Sequence, residues 1–167
     1  MKIEMILKGD NMFFQRKKSL ENQTKYIFFD IDGVLNTENT WKIPYQLIDT
    51  KIKLLAKLQT ETNARLVLIS TWRLGYDSNY DKCSEQIKKL IDLFKQNNIF
   101  ISDITPILKN RSRDAEIERF LYFHPCDRYV VLDDDDSLYI HKENIVKIDS
   151  KIGLTHQNIK TAKAYLM

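Results

Sequence analysis

Apolar residues along this chain fall into two kinds of pattern. Short unbroken runs come first: Tyr26-Ile27-Phe28-Phe29, Leu66-Val67-Leu68-Ile69 and Tyr129-Val130-Val131-Leu132. Runs without polar alternation mark strands buried on both faces, as in parallel sheets. Between them, apolar residues recur at helical spacing. Leu47, Ile48, Leu54, Leu55 and Leu58 form one such face, predicting a helix over 45–60. Ile87, Leu90, Ile91 and Phe94 predict a second over 84–97. Ile117, Phe120 and Leu121 predict a third, opening near Arg113 with Ser112 as N-cap and ending before His124-Pro125. Strands are predicted at 26–30, 65–70, 98–102, 128–132 and 145–148, with a last helix from 156 to the end. This β-α-β alternation predicts an α/β fold: a Rossmann-like three-layer sandwich with a mainly parallel five-stranded sheet.

Composition sharpens this picture only in part. A chain of 167 residues with 43% hydrophobic and 29% charged residues suits one soluble domain with a substantial core. Residues 25–167 are expected to form that domain, and residues 1–24 an N-terminal extension that fits no part of the pattern. The net charge of +3 comes from residues 1–25, which carry six Lys/Arg against three Asp/Glu. The remainder balances, so no strongly basic body is implied. Arg16-Lys17-Lys18 reads first as a solvated cluster and only weakly as a nucleic-acid contact. Cys83 and Cys126 lack zinc spacing and read as free thiols. No apolar stretch reaches the about 18 residues needed to span a bilayer. The start is a poor signal peptide, so a cytoplasmic location is expected.

The candidate chemistry sits at the ends of the first and fourth strands. Asp30-Ile31-Asp32-Gly33-Val34 follows one apolar run, and the acidic cluster Asp133 to Asp136 follows another. In open α/β sheets, ligands bind at the carboxyl ends of strands. Carboxylates gathered there repel one another unless a cation intervenes, which points to magnesium and phosphate chemistry. Asp-x-Asp-Gly alone is also a common capped turn, and Asp135 and Asp136 read better as a solvated loop.

Four motifs in order, Phe28-Phe29-Asp30-Ile31-Asp32-Gly33-Val34, Leu68-Ile69-Ser70-Thr71, a basic residue at Arg113, and Val131-Leu132-Asp133-Asp134, resemble the haloacid dehalogenase-like phosphohydrolases over about residues 25–155. Ser70-Thr71-Trp72-Arg73, Arg113-Asp114 with Glu116-Ile117, and Ile148-Asp149 with Gly153-Leu154-Thr155 narrow the likeness. They are similar to the small domains of RNA-repair systems and to the 3′-phosphatase domain of polynucleotide kinase-phosphatases. Short connections after strands one and two resemble the subtype without a substantial cap.

The resemblance implies a magnesium-dependent phosphomonoesterase acting through an aspartyl-phosphate. Asp30 would be the nucleophile and Asp32 the general acid and base. Asp30, the Asp32 backbone and Asp134 would hold Mg2+, with Asp133 supporting the site from behind. Ser70 and Arg113 would bind the phosphoryl oxygens. Many relatives use lysine where this chain offers Lys109, Arg111 and Arg113. Arg113 is preferred because it leads a helix, with Arg111 as the alternative.

Thr71, Trp72 and Arg73 are placed at the rim. Trp72 stacks on a base and Arg73 meets a flanking phosphate in one reading; in the other they are a packing residue and a surface charge. Trp41 reads as core or rim packing. The expected substrate is a phosphorylated nucleic-acid end, the 3′ end in particular, or a nucleotide. A phosphoprotein or small-metabolite phosphatase is the alternative enzyme, and a non-catalytic phosphate- or nucleic-acid-binding module the alternative class.

Overall fold

Five parallel strands form one sheet in the order β3-β2-β1-β4-β5. The computed structural model describes residues 23–109 and 112–167. The strands are β1 (Lys25–Phe29), β2 (Arg65–Leu68), β3 (Ile101–Ile104), β4 (Arg128–Asp133) and β5 (Ile145–Lys147). The helices are α1 (Asp49–Thr62), α2 (Glu85–Gln96), α3 (Arg113–Phe123) and α4 (His156–Leu166). The expected α/β class, five-stranded parallel sheet and layered arrangement are all present. Apart from Gln23 and Thr24, the N-terminal extension lies outside the described residues, as does Arg111.

Strand β1 is the central strand and shows why the sheet is three-layered. Its side chains alternate between faces. Ile27 and Phe29 join Leu55, Leu58, Leu90, Phe94 and Leu166 in the larger core, which packs α1, α2 and α4 on one face. Tyr26 and Phe28 join Val67, Ile117, Phe120 and Val131 on the other, where α3 is the helix. Fully buried side chains of this size each contribute about 1.5–3 kcal/mol. The parallel register aligns the carboxyl ends: Phe29 is level with Leu68 and with Leu132. Asp30, Ser70 and Asp133 therefore emerge along one edge.

Helix α3 is positioned from both ends. Ser112 caps it, accepting a hydrogen bond from the Ala115 N–H at 3.5 Å. Phe120 meets Tyr26 and Phe28 edge to face, with ring centroids 5.3 and 5.5 Å apart. The packing of this one helix determines where Arg113 lies.

Several element boundaries differ from those expected. The helix expected over 45–60 begins only at Asp49, since Tyr45 is left-handed at φ 56° and Ile48 is still extended. The connection after β1 is thus not short: Asp30–Ile48 forms an irregular segment holding one 3-10 turn, Glu38–Thr40. The strand expected over 98–102 lies at Ile101–Ile104 because Asn98, left-handed at φ 57°, is still turning the chain out of α2. Strand β2 stops at Leu68, where the backbone of Ser70 enters a 3-10 turn, Thr71–Gly75.

Phe120→Ala removes the aromatic contact between α3 and the sheet. The expected loss is ~3–5 kcal/mol of unfolding free energy, read from urea denaturation.

Candidate active site

The irregular segment after β1 is built around Gly33. Its φ is +73°, which glycine adopts freely, and a Cβ there would lie 2.4 Å from Asp134 Cγ. The fourth position of Asp-x-Asp-Gly is therefore set by how closely the β4 loop approaches. The Gly33 N–H donates to Asn36 Oδ1 at 2.9 Å, closing the turn.

Asp30 is buried, with 6% exposure. Its Oδ1 accepts from the Ile31 N–H at 2.7 Å and its Oδ2 from Arg113 Nη1 at 2.8 Å. Arg113 Nη1 also donates to Asp133 Oδ2 at 2.5 Å. Burial works against the Arg113 charge, but attraction to Asp30 and Asp133 outweighs it and holds the guanidinium pKa above its ordinary value. Asp133 is fully buried, and both its oxygens are occupied: Tyr139 donates its hydroxyl to Oδ2 at 2.5 Å, and the Asp135 N–H donates to Oδ1 at 3.0 Å. Burial, followed by the neighbouring Asp133 carboxylate, pushes the Tyr139 hydroxyl pKa up, so it stays a donor.

Asp134 differs. Among the described residues, no other residue hydrogen-bonds its carboxylate. Partial burial, then Asp133 and Asp30, raise its pKa to about 6. Asp30, Asp133 and Asp134 each present an oxygen within 4.8 Å of the others. Three carboxylates facing one shared cation leave an excess of negative charge and hard oxygen donors. That set fits a small divalent cation such as Mg2+. The Asp32 carboxylate is not in this cluster.

Asp32 instead bonds to its own loop and to the turn after β2. Its Oδ1 accepts from Asn36 Nδ2 at 2.8 Å and its Oδ2 from Trp72 Nε1 at 3.0 Å. Two neutral donors fix the carboxyl plane while leaving lone pairs for a proton. Trp72 is 7% exposed and meets Tyr45 edge-on at 6.2 Å, so it is a buried positioning residue and not an open stacking platform.

Arg73 likewise departs from both sequence readings. It is 6% exposed, bonded through Nη2 to Glu116 Oε2 at 2.6 Å and through Nη1 to the carbonyls of Ile69 and Ser70 at 2.5 and 2.9 Å. The carbonyls left free at the end of β2 draw it inward, and Glu116, one turn after Arg113, neutralises it. Burial lowers the Arg73 pKa, only partly opposed by Glu116. The pair ties the second-motif turn to α3. Ser70 is 1% exposed, and its Oγ accepts from the Trp72 N–H at 3.3 Å; Thr71 is exposed beside it.

The structure thus brings Asp30, Asp133, Asp134 and Arg113 together, with Asp32 adjoining and Ser70 on the neighbouring strand end. Asn36 and Tyr139 were missed by sequence reasoning. Glu116 was named within the motif at the start of the third helix, but with no partner assigned. Trp41 is half exposed, neither core nor tightly packed.

A parallel sheet of this order with an Asp-x-Asp-Gly loop facing a second acidic strand end is the architecture of a phosphohydrolase of the haloacid dehalogenase type. Residues 26–159 match the family described as the HAD domain in Swiss Army Knife RNA repair proteins, and the chain belongs to it. Over 145 residues it is also 27% identical to an uncharacterised protein of Dictyostelium discoideum. That match covers 84% of this chain but only 12% of the relative.

Two outcomes follow from Asp134 and Gly33. A folded pKa raised above the unfolded value near 3.8 means that the Asp134 contribution to stability is full below that pH and lost as pH rises through about 6. In chelator, Asp134→Asn therefore stabilises the protein at pH 8 by ~1 kcal/mol, after discounting for partial exposure, with no gain at pH 3.5; paired thermal melts measure it. Gly33→Ala costs ~1–2 kcal/mol from the left-handed backbone alone, and the clash with Asp134 adds to it, as a urea melt would record.

Proposed function

We propose that this chain is a magnesium-dependent phosphomonoesterase that works through an aspartyl-phosphate on Asp30, acting on a phosphorylated nucleic-acid end, in particular a 3′-phosphate. The observation that carries this reading is the division of labour between the two motif-one aspartates. Asp30 lies in the acidic, metal-fitting cluster braced by Arg113, and the Asp32 carboxylate lies outside it, held by Asn36 and Trp72. A binding module needs no such separately held carboxyl.

Asp30 and Asp134, with the Asp32 backbone, would hold the metal, and Asp133 supports Arg113 from behind. Bound Mg2+ would neutralise the phosphate dianion and allow a carboxylate to approach it. Asp30 attacks phosphorus, forming a P–O bond while the bond to the leaving oxygen breaks. Asp32 gives its proton to that oxygen. Asp32 then takes a proton from water, which attacks phosphorus and restores Asp30. Arg113, at the first turn of α3, stabilises the phosphoryl oxygens together with the helix N-terminus. Ser70 and Thr71 bound the phosphate from the neighbouring strand end. The RNA-repair family supports a nucleic-acid substrate, and the absence of an inserted cap among the described residues fits a large one.

Phosphate release with Mg2+ is expected to be faster from a 3′-phosphorylated oligonucleotide than from its 5′-phosphorylated counterpart or a phosphopeptide. It should fall by about a thousand-fold or more in Asp30→Asn. Mg2+ should also raise the melting temperature of the wild type and not of Asp134→Asn. A preference for the phosphopeptide would replace the substrate and keep the mechanism. No release from any substrate would overturn the enzyme reading.

A further inference from the structure

The segment between β1 and α1 does more than connect them. Together with Trp72 it walls a cavity of about 400 Å³ with the Asp32 carboxylate at its side. That volume is in the range of small-ligand pockets, about 300–1,000 Å³. Trp41 and Tyr45 line it and are 50% and 46% exposed. Their positions are fixed from beneath: Trp41 Nε1 donates to Asn36 Oδ1 at 3.1 Å, and Tyr45 meets the Trp72 ring edge-on. Tyr45 is held in left-handed backbone at φ 56°, uncommon for a bulky residue and characteristic of functional segments.

Two properties narrow what this cavity accepts. Among the described residues, its lining holds no Lys or Arg, so it is not built for a second phosphate. Gln46 and Gln86 line it as neutral amides, which can pair with the polar edge of an uncharged ring. Exposed aromatic side chains, neutral amides and no cation describe a site for a nucleobase.

Position then gives the mechanism. Asp32 must reach the oxygen that leaves phosphorus, so the leaving alcohol lies on the Asp32 side of the site. We infer that the cavity beside Asp32 takes the base of the nucleoside whose hydroxyl is the leaving group, held against Trp41 and Tyr45 with its polar edge toward the amides of Gln46 and Gln86. This inference rests on the phosphatase reading above and names its leaving group. It also replaces Trp72 as the stacking residue: Trp72 orients Asp32, while the half-exposed aromatics of the preceding segment stack.

The test compares kcat/KM for a 3′-phosphorylated trinucleotide with that for the same molecule carrying an abasic 3′-terminal sugar. The base-bearing substrate is expected to be favoured about 10-fold or more in the wild type, the size of a single stacking contact. The ratio should collapse toward one in Trp41→Ala and persist in Trp41→Phe. Equal rates for the two substrates in the wild type, or a ratio unchanged in Trp41→Ala, would overturn the inference. Phosphate release from neither substrate would instead count against the phosphatase. The pocket is then read by fluorescence, because both tryptophans of the chain line it. Saturable quenching by adenosine 3′-phosphate that is lost in Tyr45→Ala would support base binding, and no quenching would overturn it.

Discussion

Three carboxylates at one edge of a parallel sheet repel each other, and the placement of Arg113 between two of them is what the site depends on. Its Nη1 bridges Asp30 and Asp133; burial and the Asp30 charge raise the Asp133 pKa, and Arg113 opposes that rise. The guanidinium can stand there because α3 opens at that residue, and α3 is held by Phe120 below and by the Arg73–Glu116 pair beside it. Removing one partner from such a buried pair strands the other charge, so the turn after β2 and the start of α3 are tied as one unit. Asp134 receives no share of this compensation, and its raised pKa records the deficit that a metal would fill.

The same economy of parts appears around Asp32. Asn36 serves three groups at once, accepting from the Gly33 N–H and from Trp41 and donating to Asp32. The loop that orients the Asp32 carboxyl is therefore the loop that carries Trp41 and Tyr45. Its far end is braced by the 150–154 turn, where the Leu154 N–H donates to the Val34 carbonyl at 2.9 Å and the Glu38 N–H to the Ser150 carbonyl at 3.0 Å. In a fold without an inserted cap among its described residues, this segment is what walls the cavity beside Asp32.

Much of the scaffold was legible in the sequence because it rests on local signals. Unbroken apolar runs gave β1, β2 and β4, and Ser112 with His124-Pro125 bracketed α3 closely. Asp30, Asp133 and Asp134 converge because parallel register aligns strand ends, and Arg113 joins them because it opens the helix packed beside those strands. What was not legible depends on contacts across long sequence separation. Arg73 looked like a rim cation because nothing nearby in sequence announces Glu116, 43 positions away, as its partner. Trp72 stayed open between a stacking and a packing residue because its bond to Asp32 spans 40 positions. The helix expected from Tyr45 onward failed for a local reason, since apolar spacing at Leu47 and Ile48 persists through a turn whose left-handed backbone no pattern reveals.

In the proposed mechanism the Asp30 carboxylate is the nucleophile that accepts the phosphoryl group. Rapid acid quenching of a single turnover with a labelled 3′-phosphate, followed by peptide mapping, measures that transfer. Acid-stable, base-labile label is expected on the peptide that contains Asp30, absent when Asp30 is asparagine. Phosphate release with no label on the protein at any time, at a rate unaffected by Asp30→Asn, would contradict it.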